Sequence, residues 1–130
     1  MLIITFRTDN PEAELGLFED QQQLAYLRWP AHRELAETIH SQLQMLLESQ
    51  DKKFADVQGI VGYSGPGSFT GLRIGLSVAN ALAAALNRPI VGSQGDAWIK
   101  EGVGRLLGGQ SDVIVQPEYG SPPHITLPKK

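Results

Sequence analysis

Apolar runs of strand length alternate with longer segments of helical periodicity along this chain of 130 residues. Three short runs near the start predict an antiparallel meander. After Pro30, leucine and isoleucine recur every three or four positions, which predicts an amphipathic helix. A strand, a second helix and a short strand follow. The predicted strands and helices cover residues 2–6, 13–18, 24–29, 31–50, 57–63, 70–87 and 89–91.

The remaining third of the chain has a weaker pattern. Residues 93–107 predict one more helix, interrupted by Gly102 and Gly104, and residues 113–115 predict a short strand. Four prolines between positions 116 and 130 predict an extended tail. The chain is therefore divided into a lobe at 1–110 and a segment at 111–130, made of a short strand and a proline-rich tail. The element order predicts an α/β fold, with a mixed β-sheet and two main packed helices.

A row of small residues marks the second predicted helix. Gly71, Gly75, Ala79 and Ala83 are spaced by four and share one face. Each glycine inside a helix costs about 1 kcal/mol relative to alanine. Such a row lets another backbone come close. We expect this close approach either against the first helix or across a subunit interface.

The turn before this helix has only part of a phosphate-binding pattern. A P-loop requires lysine where Leu72 stands, and Thr70 occupies the position of the third glycine of the dinucleotide fingerprint. A tight turn is the favoured role, with Ser68 or Thr70 as the helix cap. A weak nucleotide or anion contact remains open, and its residues would be Gly65, Gly67, Ser68 and Thr70.

Residues 65–92, GPGSFTGLRIGLSVANALAAALNRPIVG, resemble the signature of the TsaB (YeaZ) family. The resemblance implies one lobe of the actin-like, sugar-kinase-like (ASKHA, ribonuclease H-like) fold. It also implies a non-catalytic accessory subunit for the synthesis of tRNA threonylcarbamoyladenosine, the N6-threonylcarbamoyl modification of the adenosine beside the anticodon. Members of the family usually continue into a second lobe, so we expect a short form that lacks most of it.

The resemblance implies partners as well. The family member binds and activates a catalytic TsaD-type paralogue through a helical interface, a TsaE-type ATPase joins them, and tRNA is the substrate of the complex. We expect a homodimer when the chain is isolated, formed through the same helices. The predicted partner interface consists of His32, Leu35, Ala36, Ile39, Leu43, Gly71, Gly75, Ala79 and Ala83.

Two departures from the superfamily pattern argue against catalysis by this chain. Phe6-Arg7-Thr8 stands where an acidic residue helps to hold nucleotide and metal, and Asp9 follows too late. Ala36, four residues after His32, breaks the metal-binding histidine pair of the catalytic paralogues. We therefore expect neither metal binding nor independent ATP hydrolysis. ADP or ATP at a subunit boundary, held by the turn at 65–70, stays open.

Composition excludes several other classes. The chain has no cysteine. Its net charge is −3 and its eleven basic residues are mostly scattered, which argues against a protein that binds nucleic acid without a partner. No apolar run is long enough to span a membrane, and Met1 leads directly into a strand pattern, so a cytoplasmic protein is expected.

Three alternatives remain. One is a glycoprotease-like peptidase using Ser64 or Ser68 with His32 or His40, although Pro66 breaks the nucleophile-elbow pattern around Ser64. Another is a stand-alone nucleotide-binding enzyme. The third is a homodimeric remnant that binds no partner.

Overall fold

The computed structural model describes residues 1–31, 34–67 and 69–117. Within them the chain forms five strands, three α-helices and one turn of 3₁₀-helix. These are β1 (Leu2–Arg7), β2 (Glu12–Glu19), β3 (Gln22–Pro30), α1 (Leu35–Glu48), the 3₁₀ turn (Phe54–Asp56), β4 (Gly59–Gly65), α2 (Phe69–Leu86), β5 (Ile90–Gln94) and α3 (Trp98–Leu107).

All five strands belong to one mixed sheet with the order β3-β2-β1-β4-β5. The predicted meander is confirmed, because β1, β2 and β3 pair antiparallel in sequence order. Strands β4 and β5 continue the sheet in parallel with β1. The carboxyl ends of β1 and β4 therefore meet at one edge of the sheet, and the loops that follow these two strands lie together.

The sheet is covered on both faces. Ile60 and Ile90 pack in a core cluster with α1 and α2, whereas their neighbours Val61 and Val91 pack with α3 in a second cluster. Adjacent residues of a strand point to opposite faces, so α1 and α2 form one outer layer and α3 forms the other. Coverage on both faces explains why nearly every residue of β1 and β4 is buried, rather than every second one.

The helices differ from the prediction in two respects. The predicted third helix follows the two main ones, but α3 begins at Trp98 rather than at residue 93, because Ser93 and Gln94 belong to β5. Gly102 and Gly104 do not interrupt α3. At Gly102 a Cβ atom would overlap the side chain of Val61, so this glycine lets the helix lie close against β4. No helix in the described part of the chain is both long and apolar enough to cross a membrane.

The prediction of a strand at residues 113–115 is wrong, because these residues form no strand. Val113 has a φ of +67°, in the left-handed region, and this value interrupts extended backbone. Residues 111–117, called the strap below, instead cross the free edge of β5 and reach α2, held mainly by side-chain hydrogen bonds. The rest of the predicted proline-rich tail, residues 118–130, lies outside the described residues.

Candidate functional site

The loop edge of the sheet brings the predicted anion-binding turn against the loop after β1. Gly65 ends β4 with a φ of +124°, which only glycine adopts readily. A Cβ atom on Gly67 would overlap the Asp9 side chain, so the two loops are in contact. Thr70 is exposed in the first turn of α2, whereas Ser68 lies outside the described residues.

At this edge the carboxylate of Asp9 forms a salt bridge with the guanidinium of Arg7. The Arg7 Nε donates to Asp9 Oδ1 at 2.8 Å, and its Nη2 donates to Oδ2 at 3.4 Å. The guanidinium also lies 3.9 Å from the centroid of the Tyr63 ring. The hydrogen bond to Asp9 raises the pKa of Arg7, against the opposing effect of desolvation. A carboxylate neutralised in this way is a poor ligand for a nucleotide-bound cation.

The described residues contain no group of three or more His, Asp or Glu side chains that could hold a metal ion. The seryl–histidyl site of the peptidase alternative is not assembled among them either. The Ser64 Oγ donates to the backbone oxygen of Ser93 at 3.4 Å, and His40 lies on α1, which packs on β2 and β3. His32 lies outside the described residues.

Most of the predicted partner-interface residues are buried within the chain itself. Leu35, Ile39 and Leu43 on α1, and Ala79 and Ala83 on α2, belong to the core cluster between the helices and the sheet. The prediction that they contact a partner is wrong, because an amphipathic helix turns its apolar face toward its own sheet. Ala36 is exposed and remains available to a partner, whereas His32 is outside the described residues.

The two glycines of the small-residue row serve an internal contact. The Thr8 Oγ1 donates to the backbone oxygen of Gly71 at 2.8 Å. A Cβ atom on Gly75 would overlap the Thr8 side chain. The close approach that we predicted against α1 or across an interface is therefore made by the loop after β1. Gly71 and Gly75 position that loop, and the prediction that they face a partner is corrected.

A different side of α1 and α2 is exposed, and we call it the outer helical face. Along α1 it contains the acidic Glu37 without lysine or arginine, and its Met45 is 56% exposed. Along α2 it contains small and apolar side chains, with Arg73 as the one charged residue of that helix. The outer helical face consists of Ala36, Glu37, His40, Gln44, Met45, Arg73, Ile74, Ser77, Val78, Ala81 and Ala85.

The sequence contains a signal for this face, because the segment of α2 is apolar on nearly all sides, although the interface was predicted on other residues. A helix with one apolar stripe needs no further apolar residues on its solvent side. Once the stripe of α2 facing the core is assigned to Leu72, Leu76, Ala79 and Ala83, Ala81 and Ala85 remain as exposed alanines with half-buried Ile74 and Val78 beside them. Surplus small residues at solvent positions leave a smooth surface on which another helix can lie.

Comparisons with known proteins agree on one group. The model of the TsaD family, tRNA N6-adenosine threonylcarbamoyltransferase, matches residues 30–94, which is half of the chain. The tRNA threonylcarbamoyladenosine biosynthesis protein TsaB of Escherichia coli K12 is 36% identical over 89 residues, covering 59% of this chain and 38% of that protein. The tRNA N6-adenosine threonylcarbamoyltransferase of Dictyoglomus turgidum is 30% identical over 108 residues, covering 71% and 32%.

A solved structure gives the same result. YeaZ from Pseudomonas aeruginosa superposes with a TM-score of 0.66 and 26% sequence identity, over 72% of this chain and 43% of that one. The described lobe therefore has the expected actin-like architecture. The chain spans between 32% and 43% of the length of these relatives.

Proposed function

The chain belongs to the tRNA N6-adenosine threonylcarbamoyltransferase (TsaD) family of the matched model, as a TsaB (YeaZ) member, and we propose that it is a non-catalytic accessory subunit in tRNA threonylcarbamoyladenosine biosynthesis. In this role it binds and activates a catalytic TsaD-type paralogue, and tRNA is the substrate of the complex. The observation that carries the proposal is the outer helical face, where two neighbouring helices expose small and apolar side chains beside charged ones.

The composition of that face suits helix-to-helix docking. Ala81 and Ala85 permit close approach along α2, while Ile74 and Val78 supply apolar area at their side. Burial of apolar surface supplies the favourable free energy of association, and alanine loses no side-chain entropy when it becomes buried.

The charges on the face also suit a second copy of the chain. On this face α1 presents Glu37 and no lysine or arginine, whereas α2 presents Arg73 and no acidic residue. In a two-fold dimer, α1 of one copy lies against α2 of the other, and unlike charges meet twice. We therefore propose a homodimer for the isolated chain, and the paralogue competes for the same surface.

Two further components belong to the proposal. A TsaE-type ATPase joins the pair, and ADP or ATP contacts the turn of Gly65, Gly67, Ser68 and Thr70 at the subunit boundary. The exposed Thr70 at the start of α2 supports that contact. The Arg7–Asp9 pair argues against a metal–nucleotide complex held by this chain alone. Calorimetry with ADP, on the chain and on the complex, separates these cases.

The test of the accessory role is assembly with the paralogue. The chain is mixed with the TsaD-type protein from the same genome and the mass is measured by size exclusion with light scattering. A stable heteromer supports the proposal. The absence of a heteromer at protein concentrations of tens of micromolar contradicts the accessory role. A monomeric mass for the isolated chain contradicts the homodimer.

Ala81→Arg is expected to weaken the heteromer at least tenfold, because a long cation is inserted into the alanine surface of α2. A tenfold loss corresponds to about 1.4 kcal/mol of binding free energy. Ala97→Arg is the matched control, since Ala97 is also exposed but precedes α3 in the opposite layer. Titration calorimetry measures both. Equal affinities for the two variants, with wild-type melting temperatures, would remove the outer helical face from the interface.

A further inference from the structure

The strap leads the chain from the sheet edge to the outer helical face. Its first half closes the edge of β5, where the N–H of Asp112 donates to the Ile90 oxygen at 2.7 Å. Its second half is bound to α2, where the Val115 N–H donates to Asn80 Oδ1 at 2.8 Å. The Asn80 Nδ2 donates in return to the Val115 oxygen at 2.9 Å. These two anchors fix the point from which residues 118–130, called the tail below, continue.

A groove of about 660 Å³ lies at that point, lined by α1, α2 and the strap. Its lining includes Pro117, the residue to which the tail is bonded. It also includes a large part of the outer helical face, namely Ala36, Arg73, Ile74, Ser77 and Val78. The tail therefore starts beside the surface that we assign to partner docking.

The tail is long enough to cross the groove and to follow α1. Its thirteen residues reach about 40 Å at the roughly 3.1 Å per residue of an extended proline-rich chain. Helix α1 has 14 residues and is about 21 Å long. Three prolines, at positions 122, 123 and 128, restrict the conformations of the tail. Docking therefore costs less conformational entropy than it would for a tail without proline.

Apolar side chains are present on both the tail and the groove. Ile125 and Leu127 are separated by one residue, and two such residues point the same way when the backbone is extended. In the groove, Ile74 and Val78 are only half-buried by the rest of the described chain. Contact between these two pairs removes apolar surface of both from water, which favours docking.

The charges of the tail and of the two helices are complementary. Glu118 directly follows Pro117, and Arg73 is an exposed cation in the groove that Pro117 lines. At the other end of the tail stand Lys129 and Lys130. Helix α1 contains Glu37 and Glu48 and no lysine or arginine. A tail that enters the groove at Glu118 and continues along α1 therefore meets unlike charges at both of its ends.

We propose that the tail occupies this groove and covers part of the outer helical face of its own chain, so that a partner must displace it. The inference rests on the proposed accessory role, because the partner that displaces the tail is the TsaD-type paralogue. The anchored strap holds the tail at a high effective concentration beside the groove. The tail therefore lowers the affinity of the face for the paralogue without abolishing it.

Disulfide exchange between engineered thiols tests where the tail lies. The chain has no cysteine, so Ser77→Cys with Thr126→Cys gives one pair of thiols, the first in the groove and the second in the tail. Equilibration in a glutathione buffer measures their effective concentration. The matched control is Gln94→Cys with Thr126→Cys, since Gln94 is also exposed and lines a different groove together with Gln116.

The pair at positions 77 and 126 is expected to show an effective concentration at least tenfold above that of the control pair. Mass measurement under denaturing conditions is expected to place the disulfide within one chain. Equal effective concentrations for the two pairs would overturn the proposal. A disulfide that joins two chains would overturn it as well, because a second copy would then occupy the groove.

Removal of the tail tests the competition with the paralogue. A chain that stops at Pro117 keeps both anchors of the strap, and its affinity for the paralogue is expected to rise at least fivefold in titration calorimetry. An unchanged affinity would show that the tail does not compete. If neither form binds the paralogue, the accessory role fails, whereas the comparison of the two thiol pairs still decides whether the tail occupies the groove.

Discussion

Gly75→Ala is expected to destabilise the fold by about 2 kcal/mol or more, because it adds a methyl group to a filled contact. The new Cβ atom overlaps Thr8, which is almost fully buried. Thr8 also donates from Oγ1 to the backbone oxygen of Gly71, so a rotation of its side chain away from Gly75 breaks that hydrogen bond. Urea denaturation followed by circular dichroism measures the loss.

Gly104→Ala is the matched control for this prediction. Both glycines lie inside helices, but a Cβ atom on Gly104 meets only the far end of Gln21, at 4.0 Å. Here the higher helix propensity of alanine acts alone and is expected to stabilise the fold by up to about 1 kcal/mol. If the two alanine variants changed the stability in the same direction and by the same amount, Thr8 would not limit the space beside Gly75.

The second large effect is expected at the loop edge of the sheet. Arg7→Met removes the cation from Asp9, whose side chain is only 8% exposed. A buried carboxylate left without its partner destabilises a fold by about 3–5 kcal/mol, and the partial exposure of Arg7 lowers our expectation to about 2 kcal/mol. The loss of the guanidinium from the Tyr63 ring acts in the same direction.

A double variant separates the charge effect from the packing effect. In Arg7→Met with Asp9→Asn no charge is left unpaired, so part of the lost stability returns. The coupling energy is the effect of the double change minus the summed effects of Arg7→Met and Asp9→Asn alone. Chemical denaturation at neutral pH supplies the four free energies of the cycle. Additive single changes, with no recovery in the double variant, would mean that Arg7 stabilises the loop through packing alone.

The meander, the first two helices and the family resemblance followed from the sequence, because each depends on local pattern. Runs such as residues 2–6 and 57–63 are mostly apolar, interrupted only by Thr5 and Gln58, and α1 repeats its leucines at helical spacing. The signature at 65–92 is equally local. These features can be recognised in the sequence without knowing which residues pack against them.

The candidate site depended on contacts that periodicity does not report. A stripe such as Leu35, Ile39 and Leu43 shows that a face is buried, but not whether the neighbour is a sheet of the same chain or a partner. Most residues predicted for the partner interface therefore face the core of the chain itself. The pairing of Gly75 with Thr8 joins residues 67 positions apart, and no spacing rule connects them.

The sequence alone determined the order of strands and α-helices as far as α3, the late position of Asp9 relative to the superfamily's acidic residue, and the family resemblance. Tertiary structure decided which sides of α1 and α2 remain exposed, how Arg7 neutralises Asp9 and how the strap closes β5. The physical reason is the range of the interactions. Backbone preference and amphipathic spacing act over a few residues, whereas close packing and charge pairing depend on positions that only the folded chain brings together.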